Sequence, residues 1–530
     1  MLGRPREDSN LCSRLRRAVL YPLSYGGPTC SYRSSNRVAP PLLCAQPASQ
    51  QPRELCPVCH TWSVTHMHVA GAIHADVSTP SPQWLHRPVD PNALDPALWS
   101  CCVARGDDGA LRVGGLSVAE LLADYGSPLY LIDERDFRNR AAGFRDAFDP
   151  WHVYYAGKAF LTRMVARWVD QEGLFLDVCS GGELATALSV GFHPERIGMH
   201  GNNKSTEELA MALEAGVARI IVDSMDEIAR IEQLCHDHGW KASVLIRVTP
   251  GVEAHTHEYI ATAHEDQKFG FSITNGAAMV AMVRCHVASD IELLGIHSHI
   301  GSQIFDTGGF EVAARRTMKL LRQFKEATGT ELPELDLGGG FGIAYTSNDS
   351  PATPDTLSRN LREIVEIEAR GHAMKVPQIS IEPGRAIVGP SGMALYTVGT
   401  VKTVDLEGGA QRVYVSVDGG MSDNIRPALY AAEYSAVLAS RTSQEDTVLS
   451  RIVGKHCEGG DILVHDVFLP SDIAPGDLIA VPASGAYSRA MASNYNHTPR
   501  PPVLSVADGA VSVLLRRETF DDLMALDMGE

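Results

Sequence analysis

Apolar and polar positions run along this chain in two different rhythms. From about residue 150 to 385, short and nearly all-apolar runs recur at 152–156 (HVYYA), 174–178 (LFLDV), 197–200 (IGMH), 219–223 (RIIVD), 243–248 (SVLIRV), 292–297 (ELLGIH), 334–337 (ELDL) and 378–382 (QISIE). Runs of this kind suit strands buried on both faces of a parallel sheet. Most of them are separated by stretches with helical spacing, such as 207–214 and 313–327. Eight strand–helix units within about 230 residues predict a (β/α)8 barrel. A doubly wound open sheet uses the same units, but the cadence here runs through without the break such a sheet would need.

After about residue 395 the rhythm changes. Apolar runs at 395–404, 411–417, 461–465, 477–481 and 510–515 are separated by Gly/Pro/Asp turns with little helix between them. This predicts a separate all-β domain, sandwich or barrel, over 393–530. Upstream, 116–125 has helical spacing and ends at Gly126, and 128–132 reads as a strand. The expected organisation is a disordered leader at 1–85, a segment at 86–133, the barrel at 134–392 and the β domain.

Composition narrows the picture. The chain has 530 residues, 44% of them hydrophobic and 21% charged, with a net charge of −18. That balance argues against a general nucleic-acid binder, which needs a basic face. No apolar run reaches the 18 residues of a membrane span. Residues 1–66 hold eight Arg, no Lys and three acids. They are rich in Ser, Pro and Gln without an apolar period, which fits disorder. A transit peptide is one reading. An upstream extension with Met67 as the true beginning is preferred, because Glu7, Asp8 and the prolines suit a transit peptide poorly. Five of the eleven cysteines lie in this leader and the other six are scattered. Scattered cysteines suit a reducing, cytoplasmic compartment. Cys56-Pro-Val-Cys59-His60 matches a haem-attachment pattern, but its context makes chance the better explanation.

The chemistry sits just past the strands, where barrels carry it. Lys158 ends the first strand, and an amine so placed can form a Schiff base with a carbonyl compound. The other ends carry Asp177 with Ser180-Gly-Gly-Glu183, His200-Gly-Asn-Asn-Lys204, Asp223, Arg247, His297-Ser-His-Ile-Gly-Ser-Gln303, Gly338-Gly-Gly-Phe-Gly342 and Glu382-Pro-Gly-Arg385. Each alone is more often structural, as a cap, an ion pair or a turn. Together they supply a Schiff-base lysine, a glycine loop whose N–H groups can cradle phosphate, and a carboxylate for a pyridinium nitrogen. Arg385 adds a fork for a carboxylate, and one of the two histidines of His297–Gln303 can lie against an aromatic ring. That is the inventory of a pyridoxal 5'-phosphate site. His255-Thr-His257-Glu258 is the nearest approach to a metal-ligand set, and its loop-like context does not support one.

The motifs Tyr155-Ala-Gly-Lys-Ala159, His297–Gln303, Asp336-Leu-Gly-Gly-Gly340, Glu382–Arg385, Cys457-Glu458 and Gly485-Ala-Tyr487 occur in this order over roughly 110–520. In this the chain resembles the diaminopimelate decarboxylases, pyridoxal-phosphate enzymes of the alanine-racemase-like fold. Val252–Glu258 and Asp418-Gly-Gly-Met-Ser-Asp-Asn424 resemble the actinobacterial type. The resemblance implies a β domain that takes in the segment before the barrel. It also implies a homodimer whose subunits share their active sites. The implied cofactor-binding residues are Lys158, Asp177, His299, Ser302, Gly338, Gly339, Gly340, Glu382, Pro383, Gly384, Arg385 and Tyr487. Among these, Lys158 attaches the cofactor, His299 stacks on its ring, Ser302 and the glycine loop hold its phosphate, and Glu382 faces the ring nitrogen. Tyr487 closes over the cofactor. Arg385, Arg426 and Tyr430 are implied for the distal carboxylate of the substrate and Glu458 for its distal ammonium. Cys457 is the implied proton donor, supplied with Glu458 by the neighbouring subunit. Gly459 stands where the family usually carries serine.

The implied reaction is decarboxylation of meso-2,6-diaminopimelate to L-lysine. The rivals are a decarboxylase of ornithine, arginine or a carboxylated polyamine, which has no use for paired arginines, and an inactive regulatory homologue, which would have lost Lys158 or Cys457.

Overall fold

The computed structural model describes residues 81–82, 84–251, 268–406 and 410–529. The leader up to residue 80 and the Val252–Glu258 stretch, with its His255-Thr-His257-Glu258 cluster, lie outside the described residues. The chain enters through three short antiparallel strands, β1 (Val103–Arg105), β2 (Leu111–Val113) and β3 (Leu116–Ser117). The expected helix therefore begins two residues late, at Val118, because Leu116 and Ser117 pair with Val113 and Arg112. It ends at Gly126, whose φ of +79° suits a residue without a Cβ. Strand β4 (Leu129–Asp133) follows.

The barrel is then built from β5 (His152–Ala156), β6 (Phe175–Val178), β7 (Ile197–Met199), β8 (Arg219–Val222), β9 (Ala242–Thr249), a two-residue β10 (Phe271–Ser272), β11 (Ile291–Ser298), β12 (Glu334–Asp336) and β13 (Gln378–Ile381). Strands β5 to β9 pair in order and in parallel, β9 pairs with β11, and β13 pairs back onto β5, which closes an eight-stranded ring. Only β10 lies outside the ring, against β9. All eight expected strands are present. The helices after β5, β6, β7 and β8 start on side-chain caps from Thr162, Ser180, Ser205 and Ser224, each satisfying an otherwise unpaired N–H.

The β domain comprises β14 (Gly392–Asp405), β15 (Gln411–Val417), β16 (Val437–Leu438), β17 (Thr447–Val453), β18 (Ile462–Pro470), β19 (Leu478–Val481), β20 (Val503–Ala507) and β21 (Ala510–Leu515). Strand β14 joins its parts: the first half pairs with β4 and β19, the second with β15. Strand β4 thus lies between β14 and β20, and the segment before the barrel belongs to the β domain.

Candidate active site

The C-terminal ends of the barrel strands surround a cavity of about 400 Å³. Lys158 stands two residues past β5, in the turn Gly157–Ala159, its side chain 39% exposed where it opens into this space. Its Nζ lies 3.9 Å from Asp177 Oδ2, at the end of β6. Burial, the largest influence, would lower the lysine's pKa, but the Asp177, Tyr487 and Glu382 charges together outweigh it and the net direction is upward. Asp177 is pushed up to about 6 by burial, with the Glu382 charge adding and His200 and Lys158 opposing.

Glu382 follows β13 and is 4% exposed. His200 Nε2 lies 2.8 Å from its Oε1, and His297 Nε2 lies 3.4 Å from its Oε2. Burial alone would raise the Glu382 carboxyl, but these two imidazoles outweigh it and hold it well below the usual carboxylate range. Burial lowers His297 to about 4, although Glu382 pulls the other way. The three donor atoms of His200, His297 and Glu382 come within 4.8 Å of one another. No sequence spacing announces this group, because its members come from three different strand ends.

The loop after β12 is folded tightly onto its neighbours. Gly338 N donates to Asp336 Oδ1 and Gly339 N to His299 Nδ1. A Cβ on Gly339 would lie 2.1 Å from the Glu382 carbonyl oxygen, so only glycine allows this approach. Phe341 anchors the loop by stacking on Phe310, with centroids 5.3 Å apart. His299 lines the cavity, and burial holds its pKa well below the ordinary value. Pro383 O accepts from Ala156 N, which ties the Glu382–Arg385 turn to β5.

Two guanidinium groups complete the wall. Arg385 Nη2 donates to Ser302 Oγ at 2.9 Å, and its Nη1 donates to the Tyr345 hydroxyl. Arg426 Nη1 donates to the Tyr434 hydroxyl. Tyr345 and Tyr434 meet edge to face at 5.0 Å, and the Arg426 guanidinium lies 4.6 Å from the Tyr345 ring centroid. Both arginines are at least nine-tenths buried, both leave Nε without a partner, and neither is ion-paired among the described residues. Buried cations without counter-charge are costly unless an anion joins them. Tyr430 lines the same cavity, as does Tyr487. Tyr487 sits at φ +57°, held by its N–H on Ala159 O, with its ring 4.6 Å from the Arg385 guanidinium.

These residues fit pyridoxal 5'-phosphate. An amine, an ionised carboxylate and a glycine loop that admits no side chain face one cavity, with cations left over for a further anion. The structure brings Lys158, His299, Ser302, Gly340, Glu382, Gly384, Arg385, Arg426, Tyr430 and Tyr487 to its wall. It does not bring Cys457 or Glu458 there. Cys457 is exposed, and Glu458 accepts a hydrogen bond from the Tyr495 hydroxyl. Tyr345 and Tyr434 were not singled out from the sequence, and His200 and Arg247 were placed at strand ends without a role.

Residues 134–389 match the family described as pyridoxal-dependent decarboxylase, pyridoxal binding domain. The diaminopimelate decarboxylase of Mycobacterium tuberculosis is 50% identical over 440 residues, covering 82% of this chain and 98% of that protein. The chain belongs to the diaminopimelate decarboxylase family. The Bacillus subtilis member of that family is 46% identical over 424 residues, covering 79% of this chain and 95% of that one. Among solved structures, a diaminopimelate decarboxylase from M. jannaschii in complex with L-lysine superposes with a TM-score of 0.76 at 30% identity, covering 82% of this chain and 99% of that one.

Proposed function

We propose that this protein decarboxylates meso-2,6-diaminopimelate to L-lysine and CO2 with pyridoxal 5'-phosphate, as the last step of lysine formation. The observation that carries this reading is the pair of buried arginines, without a counter-charge among the described residues, facing the same cavity as Lys158 and Glu382. A substrate of ornithine or arginine type brings no distal carboxylate to neutralise them. When bound, the cofactor supplies an electron sink for the electrons left behind by CO2.

The chain's own groups do the rest. Lys158 provides the amine that holds the cofactor. Asp177 steadies that amine, and Glu382, kept ionised by His200 and His297, would partner the ring nitrogen. His299 would support the ring, and Ser302 with Gly338–Gly340 would hold the phosphate. Pro383 and Gly384 place Glu382 and Arg385 on one turn. Arg385, Arg426 and Tyr430 fix the distal carboxylate and so choose which end of the substrate reacts. Tyr487 closes the cavity. Cys457 returns the proton to the reacting carbon, and Glu458 takes the distal ammonium.

Both of these last residues stand away from the cavity in one chain, which supports a homodimer that exchanges them between subunits. The domain boundaries at 86–133, 134–392 and 393–530 belong to this reading, as does a cytoplasmic location. The location is supported by six described cysteines that are all unbridged; none of the described helices is long and apolar enough to cross a membrane.

The test is CO2 release from meso-diaminopimelate, the LL isomer, ornithine and arginine. We expect turnover of the meso compound and its loss in Lys158→Ala, together with loss of the cofactor's near-visible absorbance. Wild-type turnover by Lys158→Ala, or a preference for ornithine, would overturn the assignment. Mixing Lys158→Ala with Cys457→Ala chains tests the dimer. Hybrid dimers with one intact shared site should regain activity that neither variant has alone. Mixtures that stay inactive, or a monomer in solution, would remove the exchange of Cys457.

A further inference from the structure

Away from the cavity, the turn before β1 brings two neighbouring thiols together beside a buried carboxylate. Cys101 Sγ and Cys102 Sγ are 3.6 Å apart. Both thiols and a carboxylate oxygen of Asp133 lie within 4.8 Å of one another. Asp133 ends β4, is 2% exposed and caps the following helix through Asp136 N. Its second oxygen accepts from Ser100 Oγ at 2.8 Å, leaving further lone pairs on the carboxylate. A recess beside the three donors, also lined by Arg135, Asn139 and Asp508, opens them to solvent. None of these residues takes part in the chemistry above.

We propose that Cys101, Cys102 and Asp133 form a binding site for a thiophilic divalent cation, Zn2+ or its congener Cd2+, with water from the recess as the fourth ligand. The geometry is nearly set beforehand. Two thiolates about 2.3 Å from a tetrahedral zinc stand roughly 3.8 Å apart, and these sulfurs are already at 3.6 Å. The turn is fastened on both sides of the pair, by Cys101 N on Asp136 Oδ1 and by Gly114 N on Cys102 O. Little ordering is left to be lost on binding. Two thiolates with one carboxylate select a soft cation over magnesium or calcium. Arg135, on the wall of the same recess, offers a cation for the single negative charge that would remain around the ion.

Each ion bound displaces two thiol protons, M2+ + 2 RSH giving (RS)2M + 2 H+, so binding strengthens as pH rises. Burial, and then Asp133 as hydrogen-bond acceptor, holds the Cys102 thiol protonated well above its ordinary range. The other charged groups around the pair are Asp136, Arg135, Arg140 and Asp508. The bound ion would join the segment before the barrel to the start of the first barrel helix.

The test is Zn2+ and Cd2+ titration of the cofactor-loaded full chain under a phosphine reductant, by calorimetry and by the thiolate-to-cadmium charge-transfer band. Cys56, Cys59 and His60 of the leader are a second possible source of thiolate binding, so Cys56→Ser/Cys59→Ser is titrated in parallel. Wild type should bind one equivalent more than Cys101→Ser/Cys102→Ser, release close to two protons for it, and gain thermal stability that the double variant does not. Decarboxylation should be unchanged in that variant, which reports that it folds. Asp133→Asn keeps the helix cap but should weaken this equivalent about tenfold or more. Equal stoichiometry and affinity in wild type and the cysteine variant would overturn the site. A loss confined to Cys56→Ser/Cys59→Ser would do the same, and an unchanged affinity in Asp133→Asn would overturn the three-donor arrangement.

Discussion

The proposed substrate role of Arg426 can be tested on a single side chain. Its Nη1 is spent on the Tyr434 hydroxyl, its face rests on Tyr345, and its Nε is open. Arg426→Gln should raise KM for meso-diaminopimelate by about 10- to 100-fold with a much smaller fall in kcat, since a charged hydrogen bond contributes about 1.5–3 kcal/mol. Tyr434→Phe should raise KM in the same direction by up to about tenfold, because the guanidinium loses its fixed acceptor. Steady-state kinetics on both variants check this, and a fall in kcat at constant KM would place Arg426 elsewhere in the reaction. At this scale the sequence was legible where a residue ends a strand within a motif, as with Lys158, Glu382 and Arg385. Tyr345 and Tyr434 were not legible. They accept from arginines 40 and 8 residues away, and an isolated tyrosine carries no spacing signal.

At the scale of elements, close packing at the ends of the strands controls where the site residues stand. Strand β11 bulges between Leu293 and Gly295 in its pairing with β9. A Cβ on Gly295 would lie only 1.9 Å from the Glu334 carbonyl oxygen on β12. Gly295→Ala should therefore push β11 and β12 apart and cost about 2–3 kcal/mol, read as a lower urea midpoint. An unchanged midpoint would mean that the two strands yield freely. The barrel strands were legible because both of their faces are buried. Three strands of the β domain were not. Strand β17 carries the buried polar residues Ser450 and Arg451 mid-strand, β16 has two residues, and β20 directly follows a proline-rich stretch. In each case partner strands supply what local composition lacks.

At the scale of the whole molecule, acid stability reports on histidines that folding keeps neutral. Burial, with the Arg451 and Arg412 charges adding, lowers His465 to about 4. Its folded pKa lies below the unfolded value, so the unfolded chain takes up the extra proton and stability falls as pH drops from about 6.5 toward 4. Between pH 7 and 5, wild type should lose about 1–2 kcal/mol relative to His465→Gln, measured by urea unfolding of both proteins at each pH. Parallel curves would show that His465 is protonated in the folded state as well. By itself the sequence determined the barrel, the change to β structure after it, and the cofactor. Those rest on local patterns: apolar runs at strand spacing, and a lysine, a glycine loop and a glutamate each just past a strand. Only the tertiary structure decided that His200 and His297 keep Glu382 ionised, and that two tyrosines hold two buried arginines. It also decided that Cys457 and Glu458 stand clear of the cavity of their own chain. Lys158, where the sequence first pointed, is one wall of a site whose charged groups lie up to 268 residues away, and no local pattern encodes a balance that only tertiary packing creates.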